Sequence, residues 1–197
     1  RVVYSKIEDK KGKHFADYAN EFEYLTNSGV ALEVLAVSNP RFPLAESEQK
    51  KLIKLYLNDV GLLTHLLYGL NVNAVLQDIR SINLGTVYES VVAQELSAHG
   101  FKLHYYDNKQ KGEVDFLIDD YDTLQVLPLE VKSGKDYTEH SALTKFLETP
   151  EYGVSRAIVF SNERQVYQKK GITYLPIYYC MFLQNHAPDD AVILPNR

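Results

Sequence analysis

The sequence predicts an α/β protein built on a mixed β-sheet, and three observations carry that prediction. From Leu84 onward, segments of helical and strand periodicity follow one another in the order αβββαβ. Three consecutive strands joined by short turns must run antiparallel, whereas the helix before the fourth strand permits a parallel return, so the sheet is mixed. The 197 residues are 45% hydrophobic and 24% charged, ordinary for a globular chain and enough to bury a core.

Residues 14–28, HFADYANEFEYLTNS, place Phe15, Tyr18, Ala19, Phe22 and Leu25 at helical spacing, with Gly29 at the C-terminal cap. The run 30–37, VALEVLAV, is a strand ended by Asn39-Pro40 and Pro43. A helix running directly into a β-rich segment is winged-helix-like; a helix packed on a hairpin, with no nucleic-acid role, is the plainer reading. Residues 51–58 form a short strand, followed by helices at 59–69 and 72–80. The chain then enters its most strongly patterned part. Helix 84–100 is closed by Gly100; strands follow at 101–106, 113–119 and 123–134, then helix 140–149 stopped by Pro150, strand 155–161, extended pieces at 164–169 and 172–176, and a last helix at 177–184. The organisation expected is a helical, winged-helix-like linker region over 1–50 and an α/β domain over 51–197.

The formal net charge of −5 argues against a protein that coats nucleic acid by bulk electrostatics. The acidic excess sits late. Residues 1–84 carry ten cationic and ten anionic side chains, residues 85–197 eleven and sixteen. Clustered carboxylates can also be cation ligands, so a metal-dependent site stays open. One cysteine, Cys180, excludes an internal disulfide and fits a reducing, cytoplasmic setting. No apolar run reaches the roughly 18 residues of a membrane helix, and the polar start shows no signal peptide. The first residue is Arg1 rather than Met, which leads to the expectation that the chain is part of a larger protein.

Chemistry concentrates on two strands. Side chains two apart on a strand share a face, so Glu130 and Lys132 lie together, opposite Leu127, Leu129 and Val131. On the preceding strand Glu113 and Asp115 share a face, and Val114, Phe116 and Ile118 are expected on the other. Paired as a hairpin, the strands bring Asp115 and Glu130 within reach of one cation. Mg²⁺ takes one or two carboxylates plus waters and phosphate oxygens, and a nearby ammonium can stabilise charge on a phosphate; Lys132 would supply it. The plain alternative is a solvent-facing Glu-x-Lys salt bridge. Against it stands the apolar run before EVKSG, typical of an interior strand. Pro128 is unusual in such a strand and suggests a bulge or bend there.

The segments GEVDFLI (112–118) and LEVKSG (129–134), after a helix bearing Glu89, resemble the PD-(D/E)XK nuclease superfamily. Together with YLTNSGVALEVLAVSNPRFPL (24–44), KLYLNDVGLL (54–63) and GTVYESVVAQEL (85–96), they resemble the C-terminal module of prokaryotic AAA-type ATPases, a domain of unknown function (four-one-four-three in its series). The resemblance implies a restriction-endonuclease-like domain over 51–197, with Asp115 and Glu130 as metal-binding acids, Lys132 as the site lysine and Glu89 as the supporting helix glutamate. Glu95 is the rival for that last role. Val114 stands where the superfamily often has proline. Mg²⁺ or Mn²⁺ is the implied cofactor. ATP would be bound only by an N-terminal ATPase module, the implied partner, because no G-x-x-x-x-G-K-[ST] occurs here. DNA is the nucleic acid such a site would act on, and no membrane partner is expected.

The remaining candidates read more plainly. His14, His65, His99, His104, His140 and His186 show no metal-ligand spacing; His104, next to the site strand, is the nearest to a role. Tyr105 and Tyr106 read as core aromatics rather than base-stacking groups, and Lys109, Lys111, Lys135, Lys169 and Lys170 as solvated turn residues or phosphate contacts. Three functions follow: a Mg²⁺-dependent DNA phosphodiesterase, a catalytically silent DNA- or protein-binding regulatory module of the ATPase, or a module mediating oligomer contacts.

Overall fold

A computed structural model describes residues 1–8, 12–71, 73, 77 and 83–188. Within them the chain forms an α/β fold around one eight-stranded mixed sheet in the order β2-β1-β3-β4-β5-β6-β8-β7. The strands are β1 (Ala31–Val37), β2 (Glu48–Leu57), β3 (His104–Asn108), β4 (Gly112–Asp120), β5 (Gln125–Lys132), β6 (Ala157–Ser161), β7 (Tyr167–Lys169) and β8 (Ile172–Pro176). The described helices are α1 (Ala19–Asn27), α2 (Val60–Tyr68), α3 (Gly85–Ala98) and α4 (Ser141–Leu147). Of the helix expected at 72–80, all but residues 73 and 77 lie outside the described residues.

The meander β3-β4-β5 is antiparallel, and β5-β6 and β6-β8 are parallel. The first two strands do not stand apart. They pair as an antiparallel hairpin, and β1 joins the meander by running parallel to β3, Leu35 to Val37 against His104 to Tyr106. Residue 50, where the sequence places a division, lies within β2.

Helix α3 packs one face of the sheet, burying Val92, Ala93 and Leu96 against Val34, Tyr105, Phe116, Leu129 and Val131. Helix α4 covers the other, with Leu143 and Phe146 against Tyr106, Val114, Leu117, Val159 and Tyr174. Strands buried on both faces explain the near-continuous apolar runs 114–118 and 126–131. Tyr105 and Tyr106 are core residues, one on each face.

Several elements differ from expectation. The helix predicted over 14–28 is α-helical only from Ala19, after a 3₁₀ turn at Phe15–Asp17 in which the Asp17 carboxylate accepts the His14 N–H. The last helix is a 3₁₀ segment, Ile177–Phe182. Pro128 causes no bulge: the β4-β5 register is continuous through it, and pairing of β5 with β6 starts one residue later, so its missing N–H interrupts nothing there.

Candidate active site

The site begins with an irregularity in β4. Against β3, His104 pairs with Leu117 but Tyr106 pairs with Val114, so β4 carries one extra residue between them. This bulge breaks the expected alternation. Val114 packs on the α4 side while Phe116 and Ile118 pack on the α3 side, which overturns the reading that all three share one face. On its other edge, β4 stays paired with β5 only from Phe116 onward, opposite Leu129. Asp115 therefore sits where β4 bulges away from β3 and parts from β5. Its Oδ2 accepts the Val131 N–H at 2.8 Å, filling the place that a ladder carbonyl would otherwise take.

Two residues from that junction, β5 supplies Glu130 and Lys132. Lys132 Nζ lies 2.7 Å from Glu130 Oε1. Glu130 is only 5% exposed, and its second oxygen, Oε2, is buried with no hydrogen-bond partner. Helix α3 brings Glu89 from above, where it accepts a 2.7 Å hydrogen bond from the Tyr56 hydroxyl. Its charge bears on both Asp115 and Lys132. Glu95, the rival candidate on the same helix, instead acts on Cys180. The structure thus brings Glu89, Asp115, Glu130 and Lys132 into one neighbourhood.

Two further residues come from β2, and sequence reasoning missed both. Lys54 is 4% exposed, pairs with Glu113, and lies 4.9 Å from the centre of the Tyr105 ring. Tyr56 packs at a tilt of 37° against Phe116, 5.6 Å between centroids, and donates its hydroxyl to Glu89. The only sequence signal was a lysine inside an otherwise apolar strand, KLYL, where a cation is seldom left without a partner.

The electrostatics follow from crowding acids in a poorly hydrated place. Burial, then the charges of Glu130 and Glu89, push the Asp115 carboxyl up to about 8, against the pull of Lys54 and the Val131 N–H. Burial also raises Glu130, opposed by its bond to Lys132. Lys132 loses by burial but gains more from Glu130, so its ammonium is held above the usual lysine range. The two nearby cations are already engaged, Lys54 with Glu113 and Lys132 with Glu130, while Asp115 is left among acids.

Such a set suits a divalent cation. Two carboxylates are enough for Mg²⁺ when water and a substrate complete the shell, and the bare Oε2 of Glu130 is the kind of atom a cation would satisfy. Among the described residues, no group of three or more His, Cys, Asp or Glu side chains forms a preassembled metal cage. His104 belongs elsewhere: its buried ring bonds Glu48 at 2.8 Å, and Lys102 reaches the same carboxylate at 2.7 Å. Among the described residues, no helix is long and apolar enough to cross a membrane.

Comparison with known families divides the chain at a point consistent with these elements. Residues 84–180 match the model of a family described as a domain of unknown function (DUF4143), and residues 1–75 match a second, also described as a domain of unknown function (DUF8612). Neither the curated proteins nor the solved structures gave a match. Glu89, Asp115, Glu130 and Lys132 all fall within the first matched segment; Lys54 and Tyr56 fall within the second.

Proposed function

With the match of residues 84–180 to a domain of unknown function as premise, we propose that the protein is a PD-(D/E)XK-type phosphodiesterase acting on DNA with Mg²⁺ or Mn²⁺, and that it works as the C-terminal part of an AAA-type ATP-binding protein. The observation that carries the reading is the meeting of Asp115 and Glu130 at the fork between β4 and β5, with Glu130 Oε2 buried and unpartnered. Asp115 and Glu130 hold the ion in this reading, and the ion supplies polarisation of the phosphodiester and of a bound water. Lys132 faces the same place with its ammonium and offsets charge building on the phosphate. Glu89, fixed by Tyr56, orients the acidic side of the site.

A second reading, a catalytically silent DNA- or protein-binding regulatory module, draws on one feature: Lys132 is closed onto Glu130, and an ion pair of this kind can be purely structural. Cleavage separates the two. With labelled DNA and Mg²⁺, the wild type cuts and Asp115→Asn loses about 10²-fold or more in rate, the scale on which one electrostatic contributor to a transition state is felt. Metal-independent cleavage, or an equally active Asp115→Asn protein, would leave the silent module as the better account.

A further inference from the structure

Helix α2 turns leucines away from the body of the protein. None of its nine residues is buried. Leu62 is 46% exposed, Leu66 66% and Leu67 51%, and Leu70, just past the helix, is 89% exposed. The helix packs against α3 and β2, and its half-covered residues are Val60, Leu63, Thr64 and Tyr68, at i, i+3, i+4 and i+8. Leu62 and Leu66 stand on the opposite side of the helix from Val60 and Thr64. A hydroxyl is therefore turned inward while leucines are turned out.

This rotation is fixed at both ends. The Asp59 carboxylate accepts the Leu62 N–H at 2.7 Å, and the Tyr68 hydroxyl donates to the Asn83 carbonyl at 2.8 Å. An apolar outer face on a surface helix marks a place where something packs.

Charge narrows what that is. From Val60 to Gln77 the chain has no Asp, Glu, Lys or Arg. Helices that lie on anionic membranes carry Lys and Arg, and a chain of net charge −5 is repelled there. A charged partner finds no opposite charge on α2 to pair with. The face suits another uncharged leucine face, and a second α2 is one: two copies can meet here with no like charges opposed. The spacing is also self-complementary. Leu62 and Leu66 make one i,i+4 ridge and Leu63 and Leu67 the next. Such a ridge seats in the groove of an identical helix at a crossing angle of about −50°.

We propose that α2 is a homodimer contact, in which the leucines of one copy pack on those of a second about a twofold axis passing near Leu66. A single helix pair buries less than the roughly 1,600 Å² of a standard interface, so the dimer is weak and concentration-dependent, with a dissociation constant of about 10⁻⁶ to 10⁻⁴ M. The proposal does not depend on the phosphodiesterase reading.

Sedimentation equilibrium of the whole chain tests it, on the wild type, Leu66→Glu, Leu66→Lys and an equimolar mixture of the two variants. Leu66 is exposed, so both variants keep the fold, which thermal melting checks. The wild type dimerises as concentration rises. Each variant alone sets like charges across the axis and weakens the dimer by about 10²-fold or more, and the mixture recovers it because opposite charges then meet. That recovery is a result a merely misfolded variant cannot give. A wild type that stays monomeric up to about 1 mM, ten times the weakest value expected, overturns the proposal; if the variants also melt lower, the leucines serve as a seat within the chain instead. A wild type and a Leu66→Glu protein that dimerise equally well overturn it too, since the contact then lies on another face.

Discussion

Asp115 is the residue on which the proposed chemistry depends, and its position has a cost that can be measured. Its carboxyl is pushed up to about 8, first by burial and then by Glu130 and Glu89. The unfolded chain releases this proton in the ordinary carboxylate range, the folded one only near 8. The folded state therefore binds more protons across that interval, and stability is lost as pH rises through it. Without metal, wild type falls in stability between about pH 4 and about pH 8. Asp115→Asn, whose amide oxygen can still accept the Val131 N–H, falls less steeply, keeping only the part that comes from other raised carboxyls such as Glu130; at pH 8 it is the more stable by about 1 kcal/mol or more. Urea unfolding at the two ends of the window checks this, and parallel curves for the two proteins would contradict it. The acids of this site were legible in the sequence as D-x-…-E-x-K on neighbouring strands. Lys54 and Tyr56 were not, because they reach it from a strand whose place beside β1 no local pattern specifies.

At the scale of elements, periodicity located the strands and α3 to within a few residues, because both faces of the sheet are buried and the apolar runs are correspondingly clear. It missed the bulge in β4. Alternation assumes one residue per pleat, and a single inserted residue reverses every later assignment; the polar-apolar string GEVDFLI does not mark where the insertion falls. It also read 3₁₀ segments as helices at 15–17 and 177–182, since i,i+3 spacing serves both. The turn between β7 and β8 is a tighter case. Gly171 has φ 78° and no room for a side chain beside Ser155, so Gly171→Ala combines a left-handed strain with a backbone clash. A loss of about 2 kcal/mol or more is expected in urea unfolding.

Across the whole molecule, the sheet joins segments that match two different families, and the site is completed from both. Lys54, from the first segment, is a buried cation whose field opposes a second cation near Asp115 and Glu130. Lys54→Met removes that opposition, and its former partner Glu113 is exposed enough to hydrate. Divalent metal should then bind tighter by roughly 1–3 kcal/mol, on Coulomb attraction at an effective dielectric of about 20. A decrease in affinity would show that Lys54 supports the site instead of competing for it. The central claim is that the fork between β4 and β5 is a cation site, and calorimetric titration of Mg²⁺ or Mn²⁺ tests it most directly, on the wild type and on Asp115→Ala/Glu130→Ala. The account predicts one ion bound by the wild type and none by a double variant that still folds. Equal binding by both, or none by the wild type even with a DNA strand present, would contradict it.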